Sequence, residues 1–176
     1  MTQTTNDRGE PFDPVTPTQT IALRVRETRK RKGWSAQALA DACAEAGMPS
    51  LDRSTIAAIE IGRRQCIGVD ELLVLAYVLS VAPVHLFVPL EEKWYAVTPE
   101  QVTNSGRVRE WVRGRHPLPM PKAERRLSLF YSEVPEQEWE PPPSKPPHTW
   151  TPAELAAVEE FGGEMRQIGE GNGERQ

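Results

Sequence analysis

Between Thr20 and Leu79, apolar residues recur three and four positions apart in short runs ending at glycine, the spacing of amphipathic helices packed side by side. The first run begins at Thr20, carries Ile21, Leu23, Val25 and Thr28 through the basic stretch RVRETRKRK, and stops at Gly33. Ser35 is placed to cap a second helix, with Trp34 before it positioned to pack on Leu39 as a hydrophobic staple. That helix extends to about Ala46, where Gly47-Met48-Pro49 prevents continuation. Asp52 then caps a third helix over 53–61, whose Ile56 and Ile59 share one face and which Gly62 closes. In VDELLVLAYVLS the pattern predicts a fourth helix with Val69, Leu72, Leu73, Ala76 and Leu79 on one face and Asp70 and Glu71 at the positive end of its dipole. PVHLFVP supplies a short fifth.

Outside this stretch the signal changes. Residues 1–19 are polar and aperiodic and read as a flexible leader to a helical domain at 20–89. Within an extension at 90–135, NSGRVREWVRGR predicts a short helix near 105–114, capped by Asn104 or Ser105, with Val108, Trp111 and Val112 on one face. EPPPSKPPH makes 136–150 a Pro-rich, extended linker. TPAELAAVEEFGGEMRQIG opens a C-terminal helix over 151–168, with Thr151 at the cap, Pro152 first and Glu154 completing a capping box, ahead of a disordered tail at 169–176. No apolar alternation is long enough to demand a strand, so the expected fold class is all-α.

Charge follows the same division. Residues 21–68 hold nine Lys or Arg against five Asp or Glu, whereas 90–176 hold eleven against fifteen, and only Pro49 of the 17 prolines lies within 21–80. With a formal net charge of −4 overall, any affinity for a polyanion has to be local to the helical stretch. Cys43 and Cys66 lack metal-site spacing, so no metal, cofactor or disulfide framework is expected. His85, His116 and His148 sit in no nucleophile or phosphate-cradle motif, which leaves an enzyme without support. The start lacks a basic end followed by an apolar run, and no stretch reaches about 18 apolar residues. A cytoplasmic protein with no membrane partner is the expectation.

WSAQALADAC, RSTIAAIEIGRR and VDELLVLAYVLSVAPVHLF, spread over four helices, resemble the Cro/C1-type (lambda repressor-like) helix-turn-helix family, also called XRE-like, across about 21–88. The resemblance implies a five-helix DNA-binding domain, here followed by a Pro-rich, partly disordered extension with short helices. It implies a transcriptional regulator, acting as a repressor, that binds double-stranded DNA as a homodimer and inserts helix 53–61 into the major groove. In the family an arginine late in the first helix pairs with a glutamate near the end of the third; the matching positions are Arg29 and Glu60. The chemistry agrees, since a partly buried carboxylate needs a charged partner of matched geometry.

By the same resemblance Asp52, Arg53, Ser54 and Ala58 face the bases, with Ala57 beside them. Arg53 is the long donor of the set, suited to guanine O6 and N7; Ser54 bonds base or phosphate, and Ala58 meets a thymine methyl. Phosphate contacts are expected where free backbone N–H groups and positive charge coincide. Those places are Ser35, Ala36 and Gln37 at the start of the second helix and Arg63, Arg64 and Gln65 after the third, with Arg26 adding charge from the first. Two features depart from the family. Fifteen residues separate Leu39 from Thr55, several more than a compact turn, so either the second helix gains a turn or the connection bulges. Ile61 stands where a polar residue is common.

A second function class stays open: a protein-interaction module, antitoxin-like or regulator-partner, acting through 90–176 with weak or no specific DNA binding. Trp34 is expected in the core, and Trp94 and Trp111 against the domain. Trp139 and Trp150 flank the Pro-rich linker and either dock a partner or stay disordered.

Overall fold

The first helix starts earlier than its apolar pattern suggests. In a computed structural model of the chain, which describes residues 13–118, 130, 132–135 and 138, α1 spans Pro17–Arg31. Its N-cap, Thr16, accepts from the Gln19 N–H while the Gln19 side chain accepts from the Thr16 N–H, and Pro17 occupies the first helical position. The expected leader 1–19 thus ends inside a capping box that the letters T-P-T-Q already spell.

There follow α2 (Ala36–Glu45), α3 (Arg53–Glu60), α4 (Val69–Leu79), α5 (Val84–Phe87) and α6 (Ser105–Val112), with strands β1 (Trp94–Ala96) and β2 (Val102–Asn104) between α5 and α6. The described chain is predominantly helical, yet the all-α expectation is corrected by this antiparallel pair, registered Tyr95 opposite Thr103. Strands of three residues are too short to show an alternation. Val15 extends the pair by bridging to Tyr95 in parallel, so it too is ordered by tertiary contact. The chain divides into two units, Met1–Arg109 and Glu110–Gln176. The linker at 136–150, apart from Glu138, and the helix expected at 151–168 lie outside the described residues, as do Trp139 and Trp150.

In the first unit α1 packs against α3, α4 and α5, and α2 against α3 and α4. Ile21, Val25, Leu39, Cys43, Leu51, Ile56, Ile59, Leu75, Leu79 and Leu86 form their shared core, with Trp34 and Leu72 packed on it. Three expected core positions are corrected. Leu23 is exposed and Arg24 is buried in its stead, because Ile21, Arg24, Val25 and Thr28 share one stripe of the helix. Arg24 is satisfied there, donating from Nε to the His85 carbonyl at 3.1 Å and from Nη1 to Glu27 at 2.8 Å. On α4, apolar residues occur all round, and the buried side is Leu75, Ala76 and Leu79; Val69 and Leu73 are exposed together with Tyr77, at four-residue intervals.

The connection from α2 to α3 is a seven-residue excursion from Ala46 to Asp52 rather than an extra helical turn. Gly47 adopts φ +90, which lets the Met48 N–H reach back to the Cys43 carbonyl at 2.9 Å. Leu51 then turns fully into the core.

Beyond α5, Tyr95 of β1 is buried and donates from its hydroxyl to the Phe87 carbonyl at 2.6 Å. Ser105, also buried, donates to the Glu91 carbonyl at 2.7 Å, and Arg109 reaches the Pro89 carbonyl and Glu92. Trp94 and Trp111, expected against the domain, are both exposed. In the second unit Glu110 pairs with Arg113 at 3.0 Å.

Burial pushes the Tyr95 phenol above its usual range. An unfolded chain ionises Tyr95 near its ordinary value of 10.0 while the folded chain does not, so the stabilisation is complete below that pH and is lost as pH rises beyond it. Tyr95→Phe, which leaves the Phe87 carbonyl without its donor, is expected to cost about 1 kcal/mol at neutral pH. It should also flatten the alkaline fall in stability, read by urea unfolding across the alkaline range; an unchanged alkaline limb would place the titration elsewhere.

Candidate nucleic-acid interface

The geometry of α3 starts with the residue that holds it. Arg29, in the last turn of α1, donates from Nε to Glu60 Oε1 at 2.5 Å and from Nη2 to Oε2 at 2.7 Å, a two-pronged pair whose side chains are 12% and 8% exposed. Its Nη1 donates to the Trp34 carbonyl at 2.7 Å, just before the Ser35 cap of α2. One guanidinium therefore joins α1, the entry to α2 and the end of α3. The Glu60 hydrogen bond raises the Arg29 pKa above its usual value, so the cation persists at any ordinary pH.

Ile56 and Ile59 are buried and turn the opposite side of α3 to solvent. Arg53, Ser54 and Ala57 are exposed there, and Ile61, at 68% exposure, continues the line. Ala58, expected to face the bases, is partly buried, and Ala57 beside it is the more open of the two. The chain folds back beside Ala58, whose carbonyl accepts the Arg63 and Arg64 N–H groups at 3.0 and 3.2 Å. Gly62 permits that reversal at φ +69, a region costly for other residues.

At the start of α3, Asp52 Oδ1 accepts the Thr55 N–H at 2.7 Å and the Ser54 hydroxyl at 2.8 Å. The Thr55 N–H first, then the Ser54 hydroxyl, hold the Asp52 carboxyl below the usual carboxylate range. The Arg53 side chain has no hydrogen bond or ion pair among the described residues, and the side chains of Arg26 and Arg63 are likewise exposed and unpaired among them.

The residues expected near phosphates divide into two groups. Ser35 caps α2 by accepting the Ala38 N–H at 3.0 Å, which leaves the Ala36 and Gln37 N–H groups without an acceptor among the described residues. The Gln37 side chain is engaged, donating to Asp41 at 2.8 Å. Arg64 is engaged as well: it donates to Glu71 Oε1 at 2.7 Å, while Glu71 Oε2 accepts the Gly68 N–H at 2.9 Å at the start of α4. Gln65 presents its carbonyl to the Thr18 hydroxyl at 3.5 Å. Arg24 and Glu71 were not singled out as structural partners by the sequence; an arginine on the i, i+3, i+4 stripe of α1 and a glutamate three residues after Gly68 were the available signals.

Chemically, the arrangement is an exposed helix face with one long donor and small side chains behind it, in a unit that also offers unpaired cations on α1 and after α3 and free N–H groups at the start of α2. That suits close approach to a polyanion with a readable edge. Among the described residues no cluster of three or more His, Cys, Asp or Glu could hold a metal, and no helix is long and apolar enough to cross a membrane. Cys43 is buried and Cys66 exposed, both as free thiols. Compared with protein-family models, curated proteins and solved structures, the chain gives no match.

Breaking the Arg29–Glu60 pair from one side leaves the other charge buried. Arg29→Met is expected to cost about 3–5 kcal/mol, and adding Glu60→Leu to recover most of it. A double-mutant cycle by urea unfolding measures this; additive losses would mean that the two side chains act independently.

Proposed function

We propose that the protein is a sequence-specific, DNA-binding transcriptional repressor of the Cro/C1 type, with α2 and α3 as its helix-turn-helix and α3 entering the major groove. The observation that carries the reading is the exposed, unpaired Arg53 on a helix whose opposite side is fixed by Ile56, Ile59 and the Arg29–Glu60 pair. A guanidinium so placed is free to bond guanine O6 and N7, and Ala57 lets the helix come close. The free N–H groups of Ala36 and Gln37, with Arg26 and Arg63, supply contacts to phosphates. One eight-residue helix reads few base pairs, so the protein acts as a homodimer on a two-fold site. The compartment is the cytoplasm, and no cofactor enters the reading.

A second reading, a protein-interaction module working through 90–176, draws support from the exposed Trp94 and Trp111. Selection of bound fragments from genomic DNA by the purified protein, at stated salt, separates the two. An enriched two-fold motif supports the repressor; no motif beside a stable co-purifying protein overturns it.

Within the repressor reading the two arginines after α3 have different work. Arg63→Ala is expected to lower the slope of log affinity against log salt by about one. Arg64→Ala should leave the slope near that of the unaltered protein, since Glu71 already neutralises it, and lower thermal stability instead. Arg53→Ala should lose the motif and keep non-specific binding. Equal slopes for both arginine variants would overturn the division.

A further inference from the structure

The polar groups around the first turn of α3 are not equally able to donate. A serine hydroxyl has one proton, and Ser54 directs it to Asp52 Oδ1 at 2.8 Å. Asp52, an ionised carboxylate at neutral pH, has no proton to offer. Two of its roughly four acceptor positions are taken, by the Ser54 hydroxyl and the Thr55 N–H. Both residues are exposed, and at about 100° per residue Ser54 points directly away from Ile56 and Ile59. Among its side chains, the outward surface at this point is therefore a patch of lone pairs beside a single strong donor, Arg53.

Base edges in the major groove answer such a surface unequally. Guanine shows two acceptors and thymine one, so both repel lone pairs. Adenine shows an amine, but with the N7 acceptor next to it. Cytosine shows its N4 amine with no acceptor on its own edge, the neighbouring one being O6 of the paired guanine. A carboxylate stripped of water recovers that loss only against a donor, which makes the wrong base costly as well as unrewarded.

We infer that α3 reads a half-site containing a cytosine, recognised through its N4 amine by the Asp52–Ser54 edge, together with a guanine recognised by Arg53. The inference rests on the DNA-binding reading above. It makes Asp52 a specificity residue in addition to a helix cap, and Ser54 an acceptor rather than a donor.

The test is selection of bound duplexes from a random library by the full-length chain, by Asp52→Asn and by Ser54→Ala. Asparagine caps helices about as well as aspartate, so the fold is kept, as a thermal melt will verify. With its oxygen still on the Thr55 N–H, it turns an N–H₂ outward and sets a donor against the cytosine amine. The unaltered protein should enrich a motif with a fixed cytosine at one half-site position. Asp52→Asn should lose the preference at that position alone and bind the original motif about tenfold more weakly, while the guanine opposite Arg53 stays fixed. Ser54→Ala should weaken the same cytosine. A motif without that cytosine, or one that Asp52→Asn leaves unchanged, overturns the base assignment and leaves DNA binding standing. The absence of any motif from the unaltered protein overturns both.

Discussion

The Arg29–Glu60 pair is the contact on which the exposed face of α3 depends. An eight-residue helix has no independent stability in water, so its orientation has to come from tertiary contacts. Ile56 and Ile59 set which side is buried, but apolar packing is non-directional and leaves tilt weakly determined. Two parallel hydrogen bonds from one planar group remove that freedom. The pair also resolves a local conflict. Glu60 sits at the negative end of the α3 dipole, where a carboxylate alone is disfavoured, and Arg29 sits at the corresponding end of α1, where a cation is favoured. The third bond of Arg29, to the Trp34 carbonyl, carries the same constraint into the start of α2.

How much of this was legible depends on the device used. Caps and stops were readable because they are single-residue chemistry: Ser35 and Asp52 cap as their side chains dictate, and Gly33, Gly47 and Gly62 take positive φ where the helices end. The start of α1 was equally readable in the capping box around Thr16, which lies ahead of the first apolar repeat. The buried side of α4 was not readable, since Leu72, Leu73, Val74 and Leu75 offer an apolar choice in every direction and only the neighbouring helices select among them. The β1–β2 pair lies at the same limit. Its position follows from the Tyr95 hydroxyl on Phe87, the Ser105 contacts and the Val15 bridge, none of which leaves a periodic trace.

At the candidate interface, the sequence placed residues but could not say which were already occupied. Seen as letters, Arg63 and Arg64 are equivalent; seen with Glu71 across the loop, one is free and the other is part of the α4 start. Similar pairings engage Arg24 through Glu27 and the Gln37 amide through Asp41. These internal acceptors prune the local positive surplus to exposed, unpaired positions such as Arg26, Arg53 and Arg63. In a chain of net negative charge, screening over about 10 Å makes such local arrangement matter more than the total.

The long connection before α3 bears on the same point. A seven-residue excursion ahead of a short helix would ordinarily loosen it, and here it does the opposite, because Leu51 is fully buried one residue before the Asp52 cap. The helix is then fixed at its entry by Leu51, along its length by Ile56 and Ile59, and at its end by Glu60 and the Gly62 reversal. With backbone position determined that fully, short side chains on the exposed face are an advantage. In the DNA-binding reading we propose, Ala57 permits approach and discrimination rests on Arg53 and the Asp52–Ser54 edge, whose hydrogen bond is already formed without a partner.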